Sequence, residues 1–199
     1  MSLFEEVDEH ATPLGPDDRL KLKLSDITFR HELNEAEFDN IAKGERWAWR
    51  TRADILTVAF ANELHKRMYG DVWGWAGRYS REQNRRIGAD VHLIPIELRN
   101  ALNDAQAWCD YRSYPVDEAG VRFHRRLVWI HPYPNGNGRW SRLMADLLVR
   151  RLGAERFTWG SGGQIRALTE ATETRQRYLA ALRKADNEDF GDLITFARS

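Results

Sequence analysis

Two stretches of helical apolar spacing flank a short glycine-rich break, and this arrangement constrains the fold more than any other feature. Val116, Ala119, Phe123, Leu127 and Ile130 fall on one face of a helix that Pro115 and Asp117 open. Leu143, Met144, Leu147, Leu148 and Leu152 form the apolar stripe of the next helix. Between them, residues 132–138 are punctuated by Gly136 and Gly138, so the chain turns sharply and resumes as a helix.

Most of the remaining chain carries the same periodicity. Asn34 can cap a helix bearing Ala36, Phe38, Ile41, Ala42, Trp47 and Trp49. Further helices are predicted near 54–68, from Pro95 to about Tyr111, near 164–184 and near 188–197. Residues 77–94 read differently, as two short extended pieces around a Gly-Ala-Asp turn at 88–90, which predicts a β-hairpin. Residues 1–24 hold Pro13, Gly15 and Pro16 with little periodic pattern, and read as an N-terminal arm. The expected fold is mainly α, a helical bundle with one hairpin over residues 25–199.

Composition narrows the function. Thirty Lys+Arg balance thirty Asp+Glu, whereas a nucleic-acid binder carries a basic excess. Eight Trp and eight Phe point to a core of large rings. One cysteine, Cys109, allows neither an internal disulfide framework nor a cysteine-rich zinc site. No apolar run could span a bilayer, and the acidic start, MSLFEEVDEH, is not a signal peptide. The expectation is a cytoplasmic protein without nucleic-acid or membrane partners.

The chemistry-bearing segment is His131-Pro132-Tyr133-Pro134-Asn135-Gly136-Asn137-Gly138-Arg139-Trp140-Ser141-Arg142. An apolar helix delivers one histidine to its C-terminal end, and a tight glycine loop then starts a new helix. Free backbone N–H groups and the positive end of the helix dipole suit an anion there. Arg139 and Arg142 share a helix face and can both fork onto phosphate oxygens. A histidine beside a phosphate cradle is placed to act as a general base. Taken singly, each of these features is usually an ordinary turn, surface or structural residue. Together they point to phosphoryl or nucleotidyl transfer. The segment is not a P-loop, because it lacks Gly-Lys-Ser/Thr.

The segment resembles the Fic motif, H-x-F-x-(D/E)-G-N-G-R-x-x-R. His131, Gly136, Asn137, Gly138, Arg139 and Arg142 match in register, and Tyr133 stands for the usual Phe. The likeness extends to Arg122-Phe123-His124 through Ile130, to the hairpin region, to Tyr178-Leu179-Ala180-Ala181-Leu182 and to Glu32-Leu33-Asn34-Glu35, so that residues 25–199 look like one Fic domain. The nearest group in this likeness is the one called mobile mystery protein B.

The resemblance implies a mostly α Fic fold with a flap hairpin, and a protein adenylyltransferase that moves AMP from ATP to a Ser, Thr or Tyr hydroxyl of a target protein. His131 would deprotonate that hydroxyl. Gly136, Asn137 and Gly138 would form the anion hole, and Arg139 and Arg142 would hold the β- and γ-phosphates. The acidic position, which holds Mg²⁺ in most active relatives, is Asn135 here, an amide oxygen without the negative charge that suits a hard cation. The Doc group, which phosphorylates its target, carries Lys at the position of Gly138, and the glycine here favours nucleotide transfer. Two alternatives stand beside adenylylation: a catalytically weakened protein that binds a nucleotide or partner, and a nucleotide-dependent phosphotransferase.

Family position also implies a flap near 79–94 that docks the target, with Ile87 and Leu93 as contact points. Many Fic proteins are restrained by (S/T)-x-x-x-E-(G/N). Here Thr28 and Glu32 fit, but Leu33 stands where Gly or Asn belongs. Glu32 is therefore either an inhibitory partner of Arg142 or part of a cap for the next helix. A separate inhibitor protein is the other route to restraint. Tyr178 either lines the base pocket or packs in the core, and His124 reads as structural support. Residues 131–184 hold ten basic and four acidic side chains, so a local positive field survives the neutral total.

Overall fold

The computed structural model describes residues 21–27, 29–82, 88–160 and 173–199. It is helical, with α1 (Arg30–Arg50), α2 (Val58–Tyr69), α3 (Ile94–Tyr111), α4 (Val116–Ile130), α5 (Asn137–Arg151), α6 (Glu173–Ala185) and α7 (Gly191–Arg198). The best-packed pairs are α1 with α2 and α4 with α5, and α3 lies against α4. No helix among the described residues is long and apolar enough to cross a membrane.

Local chemistry sets the helix starts. α1 begins at Arg30, ahead of Asn34, because the Glu32 carboxylate accepts the Phe29 N–H at 2.9 Å and caps the first turn. α2 begins at Val58, later than the apolar pattern. Asp54 and Thr57 hold the preceding residues in a turn, and the Thr57 hydroxyl accepts the Phe60 N–H at 3.1 Å.

The predicted hairpin is not seen among the described residues of 77–94, and 83–87 lie outside them. Residues 91–93, expected as a strand, form a turn leading into α3. The Asp90 carboxylate accepts the His92 N–H at 2.9 Å and the Asp90 carbonyl accepts the Leu93 N–H at 2.8 Å, which curls the backbone before Pro95. Residues 1–20 of the arm lie outside the described residues. Leu22 forms an antiparallel bridge with Trp73, flanked by Lys23 N–H to Val72 O and Gly74 N–H to Lys21 O, both 2.8 Å.

Among the described residues, two apolar clusters build the interior. The larger unites Leu33, Phe60, Leu64, Trp73, Leu98, Leu102, Phe123, Leu127 and Trp140 with one side of α5. The smaller joins Ala145 and Val149 of α5 to Trp159, Tyr178, Leu193 and Phe196. α5 is thus apolar on two sides, and its N-terminus carries the glycine loop.

Candidate functional site

The histidine ends α4 in a left-handed turn. His131 has φ 51° and ψ 56°, and its N–H still bonds Leu127 O at 3.1 Å. Histidine tolerates this region better than most residues, and the turn throws the chain back towards α5. The imidazole is half-buried and its Nδ1 has no hydrogen-bond partner of good geometry. Burial lowers its pKa below the ordinary 6.5, with the Val128 backbone pulling the other way, so the ring is neutral at pH 7.

The loop after it is closed by its own side chains. Asn137 Oδ1 accepts the Tyr133 N–H at 2.9 Å while its Nδ2 donates to Tyr133 O at 2.7 Å. Asn135 Oδ1 accepts the Gly136 N–H at 2.7 Å. Tyr133 is buried, stacks on His65 at 3.7 Å and donates its hydroxyl to Asn62 at 2.9 Å. His65 fastens the loop to the rest of the chain. Its Nδ1 accepts the Gly77 N–H at 3.0 Å, so the proton sits on Nε2 and is donated to Asn135 O at 3.1 Å. Burial pushes the His65 pKa down to about 3, which protects this tautomer.

The two glycines do different work. Gly136 has φ 78°, and a Cβ there would lie 2.4 Å from the Tyr69 ring. Gly138 opens the first turn of α5, where N–H groups lack intrahelical acceptors. A Cβ there would meet only Arg142 Nη1, at 3.7 Å. The Gly138→Ala variant is therefore expected to melt within a few degrees of the parent while its methyl intrudes on the space beside the Arg142 guanidinium. Calorimetric titration with inorganic pyrophosphate should show weakening of about tenfold or more, and an unchanged affinity would contradict this geometry.

The arginines are held unequally. Arg139 Nη1 lies 3.6 Å from Glu37, which also accepts Trp73 Nε1–H at 2.7 Å. Burial pulls the Arg139 pKa down, but Tyr69 and Glu37 more than offset it. Arg142 has no carboxylate at ion-pair distance among the described residues. Burial and the neighbouring Arg139 charge lower its pKa, and Tyr178 offsets this only in part. Its guanidinium carbon lies 5.8 Å from the Tyr178 ring centroid.

Both described ends of the 79–94 segment bond to the backbone around His131: Ser80 N–H to Pro132 O at 2.9 Å and Ala89 N–H to Ile130 O at 3.3 Å. Leu93 caps α3 and is exposed, while Ile87 and Thr28 lie outside the described residues. Glu32 sits at the start of α1 as the cap of that helix. Tyr178 is 7% exposed, its hydroxyl 2.8 Å from His124 Nε2. His65, Glu37 and Tyr69 were missed in the sequence. Only Glu37 left a signal there, as a carboxylate four residues from both Leu33 and Ile41 on the core-facing stripe of α1.

Residues 55–149 match the family model described as Fic/DOC family. These residues are similar to Fic domains. The protein adenylyltransferase Fic of Aedes aegypti is 33% identical over 104 residues, covering 50% of this chain and 21% of that one. The protein adenylyltransferase fic-1 of Caenorhabditis elegans is 28% identical over 149 residues, covering 73% of this chain and 26% of its own. The chain therefore spans about a fifth to a quarter of the length of these curated relatives. Among solved structures, the N-terminal FIC domain of Bep8 from Bartonella sp. 1-1C matches with a TM-score of 0.67 at 14% identity, covering 90% of each chain. BepC from Bartonella tribocorum, solved with bound AMPPNP, matches with a TM-score of 0.64 at 15% identity, over 86% of this chain and 87% of that one. At these identities the shared property is the Fic fold. The matched segment runs from just before α2 into α5. Glu37 and Tyr178, which face its two arginines, lie outside it on opposite sides.

Proposed function

We propose that this Fic domain is a protein adenylyltransferase. It moves AMP from ATP to a Ser, Thr or Tyr hydroxyl of a target protein. His131 takes the hydroxyl proton, the oxygen attacks the α-phosphorus, the α–β phosphoanhydride bond breaks, and pyrophosphate leaves. The observation that carries this reading is Arg142, a desolvated guanidinium with no carboxylate at ion-pair distance among the described residues, beside the open Gly138 at a helix N-terminus. A desolvated cation with no carboxylate beside it is costly, and a polyphosphate supplies its counter-charge. The adenylyltransferase names of the curated relatives and the AMPPNP bound to BepC agree with it.

In this reading the Gly136–Gly138 turn forms the anion hole, with the N–H groups of Asn137 and Gly138 facing the phosphates, Arg139 and Arg142 hold the β- and γ-phosphates, and Tyr178 backs the nucleotide site. The 79–94 segment, with Ile87 and Leu93, is the flap that docks the target. Its backbone bonds to Pro132 and Ile130 put its ends beside the base. Restraint comes from Glu32 or from a separate inhibitor protein. The arm is 1–24 and the functional unit 25–199.

Among the described residues no three His, Cys, Asp or Glu converge as a metal cage. Asn135 offers Mg²⁺ one neutral oxygen, which already accepts the Gly136 N–H. This donor set fits an ion carried in on polyphosphate oxygens better than one held by the protein alone. Mg²⁺, when bound, would neutralise part of the phosphate charge. The same neutrality at Asn135 supports a second reading, a weakened Fic protein that binds nucleotide with little turnover.

Incubation with a cell lysate and either α- or γ-labelled ATP separates the readings. α-Label on protein supports adenylylation, γ-label indicates phosphotransfer, and binding without transfer indicates the weakened form. The pH profile is a second check. A base accepts a proton only when neutral, and burial lowers the His131 pKa below 6.5. The acid limb of the transfer rate is therefore expected to have its midpoint below pH 6.5, with a plateau through pH 7. A midpoint above 6.5 would contradict the buried base.

A further inference from the structure

We propose that His124 is a positioning residue for Arg142, acting through the Tyr178 hydroxyl. The inference rests on the reading of Arg142 as a phosphate ligand and adds how that ligand is held. His124 lies fully buried on α4, and its Nε2 is 2.8 Å from the Tyr178 hydroxyl on α6. Trp159 packs on the His124 ring at 4.6 Å, and its own Nε1–H is donated to Asp146 at 3.0 Å. Phe196 closes the far side of Tyr178 at 5.6 Å. The phenol therefore has little freedom to turn.

Donor and acceptor counting orders this chain of groups. A guanidinium only donates, so towards Arg142 the Tyr178 oxygen can offer only a lone pair. The phenol's single proton then needs an acceptor elsewhere, and His124 Nε2 is the group within reach. Desolvation by burial, reinforced by the Arg142 charge, keeps His124 neutral at physiological pH, so one ring nitrogen is always free to accept. Without that acceptor the hydroxyl could turn its proton towards the guanidinium and repel it.

The choice of anchor has a functional meaning. Glu37 holds Arg139 with a carboxylate and cancels much of its charge. Tyr178 faces Arg142 with a neutral phenol, its ring centroid 5.8 Å from the guanidinium carbon, and leaves more of the positive charge for a ligand. The Arg142 end of the site is thereby tuned to the most highly charged end of a nucleotide, the terminal phosphates, and the sensitivity should appear in ATP against AMP.

Calorimetric titration of the full chain with ATP and with AMP tests this. Tyr178→Phe and His124→Leu are each expected to weaken ATP by about 5- to 10-fold, the size of one hydrogen bond, and AMP by less than about twofold. His124→Gln, which restores an acceptor, should recover most of the loss. In combination with Arg142→Ala neither variant should weaken ATP further. Equal losses for ATP and AMP, or losses that add to that of Arg142→Ala, would overturn the proposal. A measurement without nucleotide separates this from failure of the underlying reading. In ligand-free protein the Arg142 Nε–H nuclear magnetic resonance signal should exchange slowly with solvent in the parent and in His124→Gln, and rapidly in Tyr178→Phe. Equal exchange in all three sinks the relay, whether or not the parent binds ATP. Slow exchange in a parent that binds no ATP would leave the relay standing and remove the nucleotide reading.

Discussion

Replacing His131 with asparagine is expected to lower AMP transfer by about 10²–10⁴-fold, the usual worth of a general base, with ATP binding nearly unchanged. Asparagine is the informative substitution because His131 sits at φ 51°, a region that asparagine tolerates and alanine does not. His131→Ala would add backbone strain of about 1–2 kcal/mol at the junction of α4 and the loop, and a fall in activity could then reflect a displaced cradle. Single-turnover transfer of α-label, with calorimetric ATP binding on the same preparations, separates the two effects. A loss of less than tenfold in His131→Asn would remove His131 from the chemistry.

Gly136→Ala should instead act on folding. The new methyl would need a backbone at φ 78° and a position 2.4 Å from the Tyr69 ring. That ring is 1% exposed and wedged between His65 at 4.9 Å and Trp75 at 6.1 Å, so it cannot yield cheaply. Positive-φ strain and overpacking together come to roughly 2–4 kcal/mol. For a chain of this size each kcal/mol lowers Tm by about 2–4 °C, so thermal melts should show a drop near 10 °C. Gly138→Ala, two residues on, meets only Arg142 Nη1 at an ordinary contact distance of 3.7 Å and should leave Tm almost untouched. Similar melting of the two variants would mean that the loop relaxes more freely than its hydrogen bonds imply.

The helices and the loop were legible in the sequence because periodicity and glycine act locally. Ile130 to Arg142 reads directly as helix, turn and helix, and the structure has that form. Helix starts were less legible, since they turn on single hydrogen bonds. Glu32 moved the start of α1 forward by accepting one N–H, and Thr57 moved that of α2 back. Residues 91–93 carry an apolar alternation that suits a strand, yet the Asp90 carboxylate and Pro95 impose a turn there. The partners of the loop were hidden for another reason. His65 meets Asn135 across 70 residues of chain, and nothing in the local pattern of α2 marks it as the clamp. Tyr178 could be placed on its helix from sequence, but its hydroxyl takes its meaning from His124 on a different element.

The division of the interior into two clusters gives the ends of the site unequal lifetimes. Hydrogen exchange in folded proteins proceeds through partial openings, and the least buried units open most often. α6 and α7 rest on the smaller cluster, whereas His131 and the Gly136–Gly138 turn are bolted to the larger one through Tyr133, His65 and Trp140. A transient release of the C-terminal pair would carry Tyr178 away from Arg142 and leave the base and the turn standing. Arg142 thus reports on the attachment of the periphery, and occupation of the site by a polyanion would slow exchange in α6 and α7 as well as in the loop it touches.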